Sequence, residues 1–315
     1  MKFFANRASS LLCDFLQSIN PKRPFLLPAN VCPVVPLTFL KAGVEFVFVD
    51  IDDTHAMNKS ACIDHLSSGK YQGVLFVHAY GKEFDNNDFY STIKSLGNDL
   101  YIIDDKCLCI PDTNNETPHN VDFQLFSTGY AKYVELAFGG FANIDGCGKT
   151  FGRGEYLYDR DIEAQQKVYI KKCLQEGVCY KWASDVPWLD GSKLNMSGRE
   201  YLELVEKKKL EVKVQKEAIN AIYRNNIPKE VQMGKEYENW RFCIIVNNQR
   251  ALLEEIFRNN LFAGVNFPSV SYMFSGIHSA KAELESKRII NLFNDYRMNS
   301  EQAYAICEIV KKYYE

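Results

Sequence analysis

Lys132 closes the run Phe126-Ser127-Thr128-Gly129-Tyr130-Ala131-Lys132, and Gly139-Gly140 follow it. The lysine falls in a loop just after an apolar strand-like run, with small and hydroxyl residues before it. That is a setting for an amine nucleophile, and Tyr130, Ala131, Tyr133 and Val134 give it apolar neighbours. Upstream, Asp105 ends the apolar run Tyr101-Ile102-Ile103, with Asp104 beside it. A lysine that condenses with an aldehyde and a carboxylate that keeps a pyridine nitrogen protonated are what pyridoxal phosphate (PLP) needs from a protein. Ser127 can hydrogen-bond the phosphate. Singly these residues carry little, since a lone loop lysine is usually a solvated charge and a lone strand-end aspartate a turn or cap residue. Their joint arrangement carries the reading. Adjacent strand residues point to opposite faces, so only one of Asp104 and Asp105 can meet the ring, and Asp105 is assigned that place.

Elements that would position these groups can be read from hydrophobic spacing. Ala8, Leu11, Leu12, Phe15, Leu16 and Ile19 predict a helix over 7–19, closed by Asn20-Pro21. A short strand at 25–27 and a helix over 33–41, stopped by Gly43, follow. Apolar runs at 44–49, 73–77, 100–103 and 121–126 read as strands, with helices over 60–66 and 85–96 between the first three. Such alternation predicts an α/β fold with a mainly parallel sheet covered on both faces. Three of these strands end in polar residues, namely Asp50, His78 and the Asp104-Asp105 pair, and ligands bind beyond the carboxyl ends of strands in such sheets. After Gly139-Gly140 the pattern changes. Helices are expected over 162–175 and 198–224, the latter with Leu202, Val205, Leu210, Val214 and Ile219 on its apolar face. An α+β segment then has strands at 241–246 and 288–292 and helices at 249–258 and 300–313. The expected boundary lies near residue 190, giving a large domain 1–190 and a smaller domain 191–315. The stretch 180–190, with Trp182 and Trp188, reads as core or subunit interface.

The composition is that of an ordinary globular chain: 315 residues, 46% hydrophobic, 24% charged, formal net charge −3. That charge gives no broad attraction to nucleic acid or to an anionic membrane. The ten cysteines sit mostly singly in apolar runs, and Cys107 and Cys109 lack zinc-ligand spacing, so reduced thiols in the cytoplasm are expected. The five histidines show no paired metal spacing, and no metal is expected. Nothing resembles a secretory leader or a bilayer-spanning run. Gly152-Arg153-Gly154 reads as a turn, because no apolar strand leads into it as a dinucleotide fingerprint requires.

With these residues in view, the chain resembles the DegT/StrS family of sugar aminotransferases, within the aspartate-aminotransferase-like PLP enzymes of fold type I. Ser127, Lys132 and Gly139-Gly140 keep the register of that family's lysine motif. Ile102-Ile103-Asp104-Asp105 matches its strand ending in the ring aspartate, and Val77-His78-Ala79-Tyr80-Gly81 its turn. Asn6-Arg7-Ala8-Ser9-Ser10 is similar to its helix-starting phosphate loop, and a helix N-terminus suits a phosphate on physical grounds. The resemblance implies a homodimer that moves an amino group from glutamate or glutamine to a keto sugar, nucleotide-linked, in surface-polysaccharide or glycan synthesis. It implies Lys132 and Asp105 as the catalytic pair. Ser127, Ala8, Ser9, Arg7, Cys32 and Cys107 would surround the cofactor. His78, Lys193 and Asn195 would serve the substrate or the partner subunit's site. The lysine also separates the chain from the dehydratase branch, which has histidine there.

Departures are as informative. Asn6-Arg7 stand where the family has Gly-Thr or Gly-Ser, Cys32 where an aromatic ring stacks on the cofactor, and Cys107 and Leu108 where it has Ala and then Gln or His. Lys193-Leu194-Asn195-Met196-Ser197 keeps only part of its Asn-x-Arg-Met-Ser stretch. The sequence opens almost at the phosphate loop, whereas typical members carry a longer arm that helps build the sugar-nucleotide site. Two alternatives stay open at this level: a non-catalytic or regulatory protein of the same fold, and a lyase-type PLP reaction on a small amino substrate.

Overall fold

The computed structural model describes residues 1–114, 117–145, 151–152 and 154–314. Its centre is a seven-stranded sheet of β1 (Lys2–Ala5), β2 (Phe25–Pro28), β3 (Phe46–Val49), β4 (Gly73–Val77), β5 (Tyr101–Asp105), β6 (Phe123–Ser127) and β7 (Gly140–Ile144). The spatial order is β1-β7-β6-β5-β4-β2-β3. The run from β3 to β6 is parallel, β7 lies antiparallel to β6, and β1 antiparallel to β7. Parallel neighbours need crossovers, and α1 (Ala8–Ile19), α2 (Val34–Ala42), α3 (Lys59–Ser67) and α4 (Asn87–Leu96) lie along this part of the chain. The expected mainly parallel α/β sheet is therefore observed.

Strand alternation divides the core between the two faces. Phe25, Leu27, Leu75, Ile103 and Phe123 pack with Leu11, Phe15 and Phe39 of α1 and α2. Leu26, Val74, Phe76 and Ile102 pack with Cys62, Phe89 and Ile93 of α3 and α4. Asp105 shares the parity of Ile103 and Asp104 that of Ile102, so the two carboxylates leave β5 on opposite sides.

Beyond the sheet come α5 (Arg160–Glu176) and the long α6 (Gly198–Asn226), which opens on a Ser197–Glu200 capping box. They are followed by β8 (Phe242–Ile245), α7 (Gln249–Arg258), α8 (Ser271–Ser275), α9 (Ala280–Ser286), β9 (Ile289–Leu292) and α10 (Ser300–Tyr314). β8 and β9 pair antiparallel, and with α7, α10 and the end of α6 they bury Ile219, Tyr223, Phe242, Leu252, Ile290 and Ile306 together. α9 is tied back to the large sheet, for the Asp50 carboxylate accepts the N–H groups of Lys281 at 2.9 Å and Ala282 at 3.0 Å.

Two differences from the sequence reading have physical causes. β1 and β7 are strands that hydrophobic spacing does not reveal: the first is four residues at the terminus, and the second starts on a glycine and contains Asn143. The interior polar group is satisfied, since Asn143 Nδ2 donates to Gln124 Oε1 at 3.1 Å. On α6, Leu210 and Val214 are 66% and 71% exposed, so the expected apolar face is not continuous. The helix packs at its start through Tyr201 and Val205 and at its end through Ile219 and Tyr223, in two separate clusters. Lys216 and Asn220 are buried instead. In the expected 152–154 turn, Arg153 lies outside the described residues, while the Gly154 N–H donates to Asp14 Oδ1 at 2.8 Å. Among the described residues no helix is long and apolar enough to cross a membrane.

Candidate active site

A cavity of about 230 Å³ lies past the carboxyl ends of β5 and β6, against the start of α1. Every residue assigned to the cofactor from the sequence lines it: Arg7, Ala8, Ser9, Cys32, Asp105, Cys107, Ser127 and Lys132. A narrower cleft adjoins it, also lined by Cys32, Asp105, Cys107 and Lys132, with Tyr80 and Phe267 on the far wall.

The local sequence explains why these groups meet. Arg7, the N-cap of α1, has extended backbone (φ −134) and makes no side-chain cap hydrogen bond, so the first-turn amides of α1 are not covered by a capping side chain. Gly140 lets β7 pass directly against that turn. A Cβ there would lie 2.7 Å from Ala8 Cα and 2.9 Å from Ala8 N. Gly139 has φ +92, and a Cβ on it would meet the Tyr201 ring at 2.6 Å and Thr128 Oγ1 at 2.7 Å. The glycine pair is thus required by close approach and backbone conformation. The lysine loop closes on itself through Leu136 N–H to Thr128 O at 2.8 Å and Thr128 N–H to Gly139 O at 3.0 Å.

Asp105 is 5% exposed, and its Oδ1 accepts the Cys107 N–H at 2.9 Å. Asp104 faces the other side, where it accepts from His78 Nε2 at 2.9 Å, Gln124 Nε2 at 3.0 Å and the Tyr90 hydroxyl at 2.5 Å. Burial would raise this carboxyl, but the His78, Gln124 and Tyr90 contacts outweigh burial and hold it below the usual range. Burial, with the Asp105 charge beside it, pushes the Cys107 thiol well up. Ser127 Oγ accepts the Gly129 N–H at 3.2 Å. Lys132 is half-buried rather than enclosed, and Tyr130 beside it is 65% exposed.

The remaining wall comes from further along the chain. Glu163 and Lys167 of α5 pair at 2.5 Å, and the Tyr158 hydroxyl donates to Glu163 at 2.6 Å. Asp190 takes Asn6 Nδ2 at 2.8 Å and sits 3.8 Å from Arg7 Nε. Burial would raise the Asp190 carboxyl, yet the hydrogen bonds from Ser192 and Asn6 and the Arg7 charge hold it low. Trp188, 6% exposed, belongs to both the core and the cavity wall. Spacing alone did not flag Glu163, Lys167 or Asp190, because nothing in their local sequence ties them to Lys132. Three assigned residues are not in the lining. His78 is buried behind Asp104, where its Nδ1 receives the Phe84 N–H at 3.0 Å. Lys193 and Asn195 are exposed on the segment leading into α6. No group of three or more metal-binding side chains occurs among the described residues.

No family model matches the sequence, and no curated protein does. Solved structures do match. The putative PLP-dependent aminotransferase of Bacillus cereus superposes with a TM-score of 0.70 at 17% identity, over 98% of this chain and 85% of that one. PseC of Helicobacter pylori, an aminotransferase of pseudoaminic acid biosynthesis, gives 0.69 at 14%, over 99% and 86%. The E. coli GDP-4-keto-6-deoxy-D-mannose-3-dehydratase with bound hydrated PLP gives 0.66 at 15%, over 98% and 87%. The chain therefore has the fold of these PLP enzymes nearly end to end, at identities that speak for fold alone.

Proposed function

We propose that the chain is a PLP-dependent aminotransferase that transfers an amino group from glutamate or glutamine to a keto sugar, nucleotide-linked, in surface-polysaccharide or glycan synthesis. The observation that carries this reading is the convergence of Lys132, Asp105, Ser127 and the first turn of α1 on one cavity. These residues fit the cofactor in charge and placement: a helix start with no side-chain cap for the phosphate, a strand-end carboxylate for the ring nitrogen, and an amine between them. Bound there, PLP would supply an electron sink.

The roles of the chain's own groups follow. The Ala8 and Ser9 amides, the Ser127 hydroxyl and the Arg7 guanidinium would hold the phosphate. Asp105, kept in place by the Cys107 N–H, would keep a proton on the ring nitrogen. Lys132 would anchor the cofactor and, once displaced by the donor, hold and move a proton at its Nζ. Cys32 and Cys107 would flank the ring. Glu163, Lys167, Tyr130 and Trp188 form the wall left for the acceptor. His78 acts through Asp104 in this reading and not on the substrate. We also divide the chain near residue 190 into a cofactor-binding unit and a smaller unit, which the separate C-terminal core cluster supports. In a homodimer, Lys193 and Asn195 would be the groups that reach the partner's site. The nine described cysteines are all unpaired, in keeping with a reducing cytoplasm.

The test is a half-reaction. Glutamate or glutamine added to PLP-loaded protein should convert the cofactor to its amine form, with the matching absorbance change, and Lys132→Ala should abolish it. Absence of any change with every amino donor tried would refute transamination. A colourless protein to which borohydride fixes no PLP would leave only a non-catalytic protein of the same fold.

A further inference from the structure

The loop that carries Lys132 is held from outside itself. Ala131, the residue before the lysine, has left-handed backbone (φ 54), a conformation that L side chains rarely adopt. Its peptide groups on both sides are tied down. The Ala131 N–H donates to Glu135 Oε2 at 2.9 Å, and the Ala131 carbonyl accepts the Trp240 indole N–H at 2.7 Å. Both anchors are themselves held by distant residues. Both Glu135 oxygens accept from Arg297 Nη2, while Asp295 accepts from Arg297 Nη1 at 2.6 Å. Trp240 lies against Phe267, with ring centroids 5.4 Å apart and an interplanar angle of 19°. Its own carbonyl accepts Lys216 Nζ at 2.6 Å. Phe267 in turn lines the narrow cleft together with Lys132.

We propose that Trp240 and Glu135, the latter fixed by Arg297, are positioning residues for Lys132. They impose the left-handed turn that points the following residue into the cavity, and they make the amine's location depend on the C-terminal third of the chain. The inference rests on the reading of Lys132 as the cofactor-bearing lysine. The physical ground is that the disfavoured turn has two hydrogen bonds, one to a loop glutamate that Arg297 grips and one from outside the loop. One of them comes from a side chain 109 residues away.

Trp240→Phe keeps a ring against Phe267 and removes the indole N–H together with part of the indole's volume. Glu135→Gln keeps an acceptor for Ala131 and removes the charge that Arg297 grips. Two readouts decide, both on the full chain. In cofactor-free protein, the acetylation rate of Lys132 is measured by peptide mapping. In PLP-loaded protein, the borohydride-fixed fraction on Lys132 is measured with kcat and KM for the donor. Trp240→Phe should bring Lys132 acetylation close to that of the exposed lysines and reduce fixation. It should lower kcat by about tenfold to a hundredfold with KM nearly unchanged. Glu135→Gln should move the same readouts in the same direction by less. Should Trp240→Phe fail to fold, Arg297→Gln, at a half-buried site, gives the same reading through Glu135. Unchanged acetylation and fixation in folded variants would overturn the proposal. If the wild-type chain fixes no PLP, it is the functional reading that fails, and the acetylation rates still decide whether the loop is positioned from outside.

Discussion

Asp104 and Asp105 are neighbours in β5 with opposite tasks, and substitution should separate them. Asp104 gathers three buried donors, so Asp104→Ala leaves His78, Gln124 and Tyr90 without their acceptor. Stability should fall by about 3 kcal/mol, read by chemical denaturation. Asp105→Ala removes a group at the cavity wall, with one hydrogen bond to the Cys107 N–H. It should cost about 1 kcal/mol or less in stability and most of the amino-transfer rate, with some PLP still bound. A silent Asp105→Ala alongside a folded, inactive Asp104→Ala would shift the ring contact by one residue. At this scale the sequence was legible because strand parity and the lysine register are local properties, fixed within a few residues. Glu163, Lys167 and Asp190 were not legible, because only the path of the chain brings them to Lys132.

Elements were readable where their faces are continuous and hidden where they are short or split. Strands β2 to β6 have apolar runs, whereas β7 owes its place to Gly140, whose role appears only once α1 is packed against it. Gly140→Ala tests that role. The new methyl would sit 2.7 Å from Ala8 Cα, so α1 must shift. The expected cost is about 1–3 kcal/mol by thermal or chemical denaturation, with weaker PLP retention on dialysis because the α1 amides move with the helix. A variant of wild-type stability and PLP retention would show that β7 does not set the position of the α1 turn. In α6 Leu210 and Val214 misled because the helix serves two cores, and its middle turns belong to neither.

The whole molecule holds a buried cation that makes its stability depend on pH. Lys216 is 3% exposed, bonded to the Trp240 carbonyl and to Asn294 Oδ1, and burial lowers its amine to about 7. The unfolded chain binds that proton up to its ordinary value near 10.5, while the folded chain releases it near 7. Between these values the unfolded state holds more protons, so stability rises with pH there, by up to about 1.4 kcal/mol per pH unit, and this group adds no slope below 7. Denaturation of wild type and Lys216→Met across that window should show the slope in the first and its loss in the second. Equal slopes would place the pH dependence elsewhere. Assembly is the other property at this scale. Sedimentation at micromolar concentration with PLP present should give a homodimer, and a fully active monomer would refute a site shared between subunits.

Sheet order also carries a consequence for the birth of the protein. β1 leaves the ribosome before every other strand of its sheet, yet its partner is β7, with Lys2 opposite Asn143 and Ala5 opposite Gly140. β1 must wait unpaired while the roughly 140 residues up to β7 are made, on the order of ten seconds at ~5–20 residues per second. The α1 turn that would cradle the phosphate rests against the same late strand, through Gly140. Vectorial synthesis therefore delivers the pocket proposed for the cofactor late, and a ribosome stalled before β7 has emerged should display α1 and the parallel strands without a competent site.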